Sequence, residues 1–384
     1  MNWMDQARRE AGEKAAALGV PGPRHPGWRL IDASALKQDS GGAAAEVSID
    51  GYLLPGSVRI VFVNGRYVKS LSEPGNDPNV RVSPLGLEPD ALHEHFGKSL
   101  EAEYYAQWNA QQFEDCAFVQ VKGDAQQAIH VLHVGTHGTS HARCLVVLEP
   151  HARATLVEEY LGDGFVNAVT EVVLGEHAAL RHVRVQEDAG LHVGNTDAKL
   201  GSGAHYDSTM LSLAGKLSRH YLHVDYLGEH AEAMLGGLNL SDGRQVADVH
   251  TRVEHRVPNC KTVQRHKCIA GGASTSVFSG NIVVHRGAKG TDTRQESRNL
   301  LLSARAKIDA QPELEILNDD VSCKHGATVG QIDAESLFYL KSRGIDEASA
   351  KKLLIYAFAA EIVDRIPVRA LVERLRASML GRLA

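Results

Sequence analysis

The chain has 384 residues, of which 43% are hydrophobic and 23% charged, and its formal net charge at pH 7 is −6. This composition is typical of a soluble globular protein that buries a sizeable core. A net negative charge gives no general attraction to nucleic acid or to an anionic membrane surface, so neither is expected as a partner. No run approaches the roughly 18 apolar residues that a membrane-spanning helix needs.

The N-terminus and the cysteines together favour a reduced cytoplasmic protein. Residues 1–18 carry acidic side chains among alanines, which does not fit a signal peptide and predicts a short helix that ends near Gly19. The five cysteines are odd in number and lack CxxC spacing, so neither a disulfide framework nor a closed zinc site is expected. They are Cys116, Cys144, Cys260, Cys268 and Cys323.

The first region, residues 1–113, predicts a mixed helical and strand-containing domain. In the segment VRIVFVNGRYV (58–68), Asn64-Gly65 separates two apolar runs, a pattern typical of a tight hairpin. Proline- and glycine-rich loops are expected over 74–89. A helix is expected over 90–112, where several side chains recur at helical spacing: Leu92, His93, Phe96 and Leu100.

The second region, residues 114–333, is predicted to be a β-solenoid. Its strand-like segments alternate, and the motif LGEHAA at 174–179 recurs as LGEHAE at 227–232, with the related LEPHAR at 148–153. His151 and His177 are 26 residues apart, and His177 and His230 are 53 apart, which is close to two such steps. These spacings indicate a repeat of roughly 25 residues, and Gly203 lies near the position between His177 and His230 where the motif is missing. Short strands and glycine turns at this period favour a parallel β-helix. A β-sandwich is the alternative, but it does not explain the repeat.

The third region, residues 334–384, predicts a small domain of about three helices. Gly344 is a suitable helix stop, Asp346 a suitable cap for the next helix, and Pro367 suits the first turn of the last one. The middle helix is expected to bury an apolar stripe: Leu353, Leu354, Ala357, Phe358 and Ile362. The apolar surface of these helices is larger than a domain of about 50 residues can bury by itself, so the helices should pack on the β-region or on a partner.

Most of the 20 histidines are expected to be structural. His177 and His230 fall at equivalent turns of the repeat. The residues around His133 predict a strand, which removes the significance of the four-residue spacing from His133 to His137 and His141. His250 lies an odd number of residues from His255, so the two should face opposite sides of a strand. None of these sets is therefore predicted to hold a metal ion.

Motifs for enzymatic chemistry are mostly missing. The chain has no GxxxxGK[ST] loop, so no nucleotide is expected on it, and it has neither GxSxG nor HExxH. The adjacent Asp319 and Asp320 raise the alternative of a β-helix enzyme that acts on polysaccharides. Adjacent strand residues point to opposite faces, however, so a joint acid–base pair would need a bulge.

Cys323-Lys324-His325 is the segment with the clearest chemical potential. Residues i and i+2 of a strand share a face, so the thiol and the imidazole can approach one ion or one sulfur species. Both are suitable ligands for iron or zinc, and Lys324 is expected to lower the pKa of the thiol. Two ligands do not complete a site. Taken alone, the pair is explained more simply by a chance cysteine near a turn than by a ligand site.

The segment around this pair, residues 307–345, resembles the SufB/SufD family of iron–sulfur cluster assembly proteins, and its SufD branch in particular. HTRVEHRVPNC (250–260), the run at 277–303 and VFVNGRY (61–67) match the same pattern. The resemblance therefore covers nearly the whole chain. It implies a right-handed parallel β-helix between an N-terminal domain (1–113) and C-terminal helices, with the β-helix over 114–333.

The resemblance also implies partners and cargo. The β-helix would pair with a SufB-type paralogue, and the C-terminal helices (334–384) would bind a SufC-type ATPase. Such a complex assembles a nascent iron–sulfur cluster from iron and from sulfur that a cysteine desulfurase system delivers, with electrons from a reduced flavin. This chain would be a non-catalytic scaffold. Whether it pairs with itself when SufB is absent is left open by the sequence.

Carried over to this sequence, the resemblance makes His325 a candidate ligand of iron or of the cluster at the SufB–SufD interface. Cys323 matches a cysteine at that interface, and whether it would bind metal or carry sulfur stays open. The B-type subunit has its key cysteine in the stretch that matches residues 295–301, where this chain has Ser297 near that place. The principal thiolate is therefore expected from SufB.

Overall fold

The computed structural model describes residues 3–22, 24–29, 31, 36, 47–84, 95–97 and 100–382. Two large sheets form most of it, and the strands of the repeat alternate between them along the chain, as the coils of a β-solenoid do. The solenoid has about 8 turns. Within the described part of the chain, no helix is long and apolar enough to cross a membrane.

The first sheet has ten strands. In spatial order, beginning with the last strand of the chain, they are β19, β17, β15, β13, β11, β9, β7, β5, β1 and β2. Their bounds are β1 Val58–Val63, β2 Arg66–Tyr67, β5 Ile129–Gly135, β7 Arg153–Gly162, β9 Ala179–Gln186, β11 His205–Ser212, β13 Glu232–Ser241, β15 Lys261–Ala270, β17 Thr291–Leu301 and β19 Val321–Gly330.

The second sheet has nine strands in the order β18, β16, β14, β12, β10, β8, β6, β4 and β3. Their bounds are β3 Val80–Pro84, β4 Ala117–Val121, β6 Thr139–Leu148, β8 Phe165–Leu174, β10 Leu191–Leu200, β12 Leu217–Tyr226, β14 Val246–His255, β16 Thr275–Val284 and β18 Lys307–Ile316. Strands from before residue 114 thus join both sheets. The predicted loop over 74–89 was wrong for 80–84, which pair with β4 as β3.

A stack of left-handed turns, one in each of several successive coils and together called the turn ladder, explains the sequence repeat. His151, His177, Gly203 and His230 each precede a strand of the ten-stranded sheet by two residues, and all four have a positive φ, between 55° and 65°. The amide nitrogen of His177 donates to the carbonyl oxygen of Ser202 in the next coil. The predicted solenoid, with Gly203 at the middle position, is therefore confirmed. The left-handed turn is the structural role of these histidines.

The predicted hairpin is also confirmed. β1 and β2 are antiparallel, with Val63 opposite Arg66, so Asn64 and Gly65 form the two-residue connection. Their φ angles are 50° and 80°. Two consecutive positive φ angles define a type I′ turn, which asparagine followed by glycine favours.

Five α-helices of the described residues flank the solenoid: α1 Trp3–Leu18, α2 Tyr104–Gln112, α3 Ala334–Ser342, α4 Glu347–Val363 and α5 Arg369–Arg382. The helix predicted over 90–112 was too long, since 95–97 form a turn and Leu100 has a φ of 58°. Leu92 and His93 lie outside the described residues. Asp346 caps α4 as predicted, accepting a hydrogen bond from the amide of Ser349 at 2.9 Å.

Three of the apolar clusters among the described residues hold the solenoid and the helices together. The largest fills the lumen between the two sheets, with residues such as Leu156, Leu222 and Phe278. A second lies between the outer face of the ten-stranded sheet and helices α4 and α5. The third packs α2 and Trp28 on the outer face of the other sheet. The predicted stripe of α4 was partly wrong, since Leu353 is 47% exposed while Ile355 and Ala359 are buried.

Candidate functional site

The last coil of the solenoid is open. β18 pairs only with β16 and β19 only with β17, so among the described residues each has one edge without a strand partner. Apolar side chains reach solvent there, with Ile316 44% and Val329 50% exposed. Unpaired strand edges and an uncovered lumen are features that a further strand or subunit can cover.

Cys323 and His325 lie on β19 at this open end. Cys323 is aligned with Thr293 of β17, and His325 with Gln295. Thr293 and Gln295 are buried in the lumen, and the register is continuous, so Cys323 and His325 face the lumen as well. Cys323 is half-buried against the lumen cluster, whereas His325 is exposed.

The predicted effect of Lys324 on the thiol was wrong. Desolvation by burial raises the pKa of Cys323, and the nearby negative charge of Asp292 raises it further. Lys324 is exposed and belongs to the other face of β19, so its ammonium group points away from the thiol. In the isolated chain Cys323 is therefore a thiol at neutral pH, and thiolate formation requires an incoming cation or a partner's positive charge.

The side chains of Cys323 and His325 lie on the same face of β19. The Cα atoms of residues i and i+2 of a strand are roughly 6.6 Å apart, which lets both side chains reach one ligand from the same side. Throughout the described ranges, no three side chains of His, Cys, Asp or Glu are grouped so that they could hold a metal ion. A complete site would therefore need donors from outside this part of the chain.

Ser297 lies one coil inside the open end. It is buried in β17, aligned with Ala327 of β19, and its hydroxyl lies 3.3 Å from Oδ1 of Asn299. It is thus a satisfied interior hydroxyl and not a group at the open edge.

The three histidines at four-residue spacing are separated, as expected for a strand. His133 lies on β5 in the lumen, stacked on Phe62 and Tyr160 with ring centroids 5.2 and 5.1 Å apart. His137 is in an exposed turn. His141 lies against Trp108 of α2, on the outer face of the second sheet.

His250 and His255 face opposite sides of β14, as predicted. The Nε2 atom of His250 lies 2.9 Å from Oδ1 of Asp248 on the outer face. His255 is buried in the lumen, stacked on Tyr226. Asp319 and Asp320 lie in the turn between β18 and β19 and not on a strand. The main-chain oxygen of Asp320 accepts the amide of Gly290, which gives this segment a structural role.

Sequence reasoning missed a buried polar network in the middle of the lumen. Glu158 is fully buried and accepts hydrogen bonds from the hydroxyl of Thr170 at 3.0 Å and from His182 at 2.7 Å. The other ring nitrogen of His182 lies 2.9 Å from the hydroxyl of Tyr206. The guanidinium of Arg184 lies 4.5 Å from the ring centroid of Tyr160. His182 and Arg184, at alternate positions of RHVR (181–184), were the available indication.

Comparison with known proteins assigns the family. Residues 131–358 match the family model described as "SUF system FeS cluster assembly, SufBD core domain", which covers more than half of the chain. An iron–sulfur cluster assembly SufBD family protein of Synechocystis is 33% identical, over 96% of this chain and 89% of its own. The iron–sulfur cluster assembly protein SufD of Escherichia coli is 31% identical, over 95% and 90% of the two chains.

A SufD protein of Bacillus subtilis is 29% identical over 67% of this chain and 62% of its own. The matched segments include the whole of the open end, β18 and β19, because the family model extends through residue 358.

Proposed function

Since the chain belongs to the SufB/SufD family of iron–sulfur cluster assembly proteins, we propose that it is a SufD-type, non-catalytic scaffold subunit. It pairs with a SufB-type paralogue through the open end of its solenoid. The observation that carries this proposal is the position of Cys323 and His325 on the lumen-facing side of β19, beside an edge without a strand partner among the described residues.

Iron and the nascent cluster are the cargo of this interface. A neutral imidazole from His325 and, once deprotonated, a thiolate from Cys323 are ligands that suit iron, and the paralogue supplies the remaining donors. The raised pKa of Cys323 supports a transient role, because a thiol protonated in the resting chain gives up its proton only when the cation arrives. Its five free cysteines support a reducing, cytoplasmic location.

The C-terminal helices are the proposed contact for a SufC-type ATPase. α3 has no buried residue, and Phe338 and Tyr339 on it are 74% and 57% exposed. Leu353 is also exposed, on α4, the helix that contacts α3. Patches of large aromatic and aliphatic side chains beside polar surface are typical of protein interfaces.

Replacement of His325 by alanine in the reconstituted complex with the SufB-type and SufC-type proteins tests the ligand role. We expect the complex to assemble and to lose most of its iron and acid-labile sulfide after anaerobic cluster assembly. Lys324→Ala is the matched control, since it changes the same strand on the opposite face. Cluster formation at the level of the unchanged complex in His325→Ala would contradict the proposal.

The ATPase contact is tested by Phe338→Asp, because deletion of 334–384 would also uncover the apolar face beneath α4 and α5. We expect Phe338→Asp to abolish co-purification with the SufC-type ATPase while the pairing with the SufB-type protein persists. Lys352→Asp on α4, which changes charge without removing an exposed aromatic ring, is the control. Undiminished binding of the ATPase by Phe338→Asp would contradict this assignment.

A further inference from the structure

Gln295 lies directly behind His325 in the lumen. The two residues are aligned in the parallel ladder of β17 and β19, at the usual strand separation of roughly 4.8 Å. The side chain of Gln295 is buried, with 2% of the residue exposed. Its Oε1 atom has no hydrogen-bond partner among the described residues. A buried carbonyl oxygen without a partner destabilises the fold, so its surroundings call for an explanation.

The amide of Gln295 has a fixed direction. Its Nε2 donates to Oε1 of Gln264 in the preceding coil at 2.8 Å, and Nε2 of Gln264 donates to the hydroxyl of Thr251 at 2.8 Å. In this arrangement the NH₂ group of Gln295 faces Oε1 of Gln264, which can only accept, and the oxygen of Gln295 is left for the other side. The next coil on that side contributes His325.

The opposite wall of the lumen is shaped around the same amide. Gly280 of β16 faces Gln295, and a Cβ atom at Gly280 would lie 2.2 Å from Nε2 of Gln295. The absence of a side chain at this position therefore keeps room for the amide. The two-step amide chain and this glycine hold Gln295 in one orientation.

We propose that Gln295 is a positioning residue for His325: when the exposed imidazole turns towards the lumen, the free Oε1 atom of Gln295 accepts a hydrogen bond from one ring N–H and thereby fixes the tautomer. The other ring nitrogen then presents its lone pair to the open end of the solenoid. This inference rests on the proposed role of His325 as a ligand. A histidine that ligates a metal usually donates its second ring N–H to a fixed acceptor, and a neutral amide orients the ring without favouring the imidazolium.

The tautomer is measured by long-range proton–nitrogen NMR of the full chain labelled with ¹⁵N-histidine, at pH 8. The His325 signals are assigned by their loss in His325→Gln. We expect one neutral tautomer in the unchanged chain and a mixture of both in Gln295→Met. Gln311→Met, on the outer face of β18, is the control and should leave the His325 signals unchanged.

Gln295→Glu provides a second variant that keeps the shape of the side chain. A carboxylate keeps an acceptor oxygen behind the ring, so Gln295→Glu should retain a single tautomer of the neutral imidazole where Gln295→Met shows a mixture. A merely space-filling role of Gln295 would give the same tautomer proportions in both variants. The proposal is overturned if the unchanged chain already shows both tautomers in the proportions of Gln295→Met, or if Gln295→Glu shows the same mixture as Gln295→Met.

The assembled complex gives an independent measurement. Gln295→Met should retain iron roughly tenfold more weakly than the unchanged complex, in the range expected when the hydrogen-bond partner of a ligand is removed. If His325→Ala retains iron normally, the ligand role fails, whereas the tautomer measurement still decides whether Gln295 orients the ring. If His325→Ala loses iron but Gln295→Met does not, the positioning role is wrong and the ligand role stands.

Discussion

The Nε2 atom of His182 lies 2.7 Å from Oε2 of Glu158, and both side chains are buried in the lumen of the solenoid. Desolvation by burial raises the pKa of the Glu158 carboxyl, but the hydrogen bond and the charge of His182 outweigh it, and the pKa lies below its ordinary value of 4.5. The unfolded chain therefore binds more protons than the folded chain just below pH 4.5. The stabilisation is present above that pH and is lost as the pH falls through the folded pKa.

Glu158→Gln should accordingly lower the free energy of unfolding by about 2 kcal/mol at pH 7, since charge-assisted hydrogen bonds in the lumen are lost. The difference should shrink as the pH falls below 4.5. Urea titrations from pH 7 to pH 3.5 measure it. Glu229→Gln, an exposed carboxylate in a turn, is the control. A loss at Glu158 that is equal at every pH would show that shape, and not charge, is what this position requires.

His266 makes the solenoid sensitive to acid in a different range. It is stacked on Phe278 with ring centroids 4.4 Å apart, and burial lowers its pKa to about 3. Between pH 6.5 and pH 3 the unfolded chain binds a proton at this residue and the folded chain does not. Its contribution to stability is therefore fully present above pH 6.5 and falls by about 1.4 kcal/mol per pH unit as the pH is lowered.

The free energy of unfolding of His266→Leu should decline less steeply between pH 6 and pH 4 than that of the unchanged protein. The two slopes should differ by up to about 1.4 kcal/mol per pH unit, the slope that corresponds to one bound proton. His137→Gln changes a side chain that is exposed in the folded chain and should leave the slope unchanged. Equal slopes for His266→Leu and the unchanged protein would contradict the assignment of a buried neutral imidazole.

Gly203 carries the left-handed turn of its coil, and a Cβ atom there would lie 2.3 Å from Nδ1 of His177. Gly203→Ala should lower the free energy of unfolding by about 1–2 kcal/mol, because an L-residue is strained at a φ of 63°. Gly51→Ala, where a Cβ meets nothing within 4 Å, is the control.

The side chain of His177 is 54% exposed and can move aside, so backbone strain should dominate. Most of the loss should therefore persist when Gly203→Ala is made in a His177→Gly background. If Gly203→Ala cost no stability in the His177→Gly background, the clash with the side chain of His177, and not the strained φ angle, would be the cause of the loss.

Features with local causes were predictable from the sequence. The type I′ hairpin follows from Asn64-Gly65, the cap of α4 from Asp346, and the turn ladder from the repeated motif around His177. The shared face of Cys323 and His325 followed from strand periodicity alone. Each of these depends on dihedral angles or spacing within a few residues.

Features that depend on packing partners were not predictable. Val183 and Val185 of β9 face helices α4 and α5, so the polar positions His182 and Arg184 are the ones inside the lumen. A strand covered on both faces gives no indication of which side is the lumen. α4 is apolar around most of its circumference, so its spacing did not distinguish the buried Ile355 from the exposed Leu353. The pKa of Cys323 depends on Asp292 of a neighbouring strand.

Lys267 anchors α4 to the solenoid. Its Nζ atom donates to the carbonyl oxygen of Phe358 at 2.7 Å, lies 2.7 Å from Oε2 of Glu361, and lies 4.2 Å from the ring centroid of Phe358. Lys267→Met should cost about 2 kcal/mol, the usual loss for a buried hydrogen bond from a charged group. It should also speed hydrogen exchange of the α4 amides.

Lys351→Met removes an exposed ion pair within α4 and is the matched control, with an expected loss below about 0.5 kcal/mol. Similar hydrogen exchange of α4 in both variants would show that apolar contacts alone hold the helix in place.

Cys323 should be the one cysteine that reacts with iodoacetamide in the folded chain, because the other four are fully buried. Since burial and the charge of Asp292 both raise its pKa, it should react more slowly at pH 8 than a free thiol. Asp292→Asn removes the negative charge and should speed the reaction. Lys324→Ala should leave the rate unchanged, because the ammonium group lies on the other face of β19. Slower labelling in Lys324→Ala would mean that the lysine does activate the thiol.

Pairing with the SufB-type protein should protect Cys323 from iodoacetamide, since the proposed interface covers the lumen-facing side of β19. Undiminished labelling of Cys323 in the complex would place that interface elsewhere.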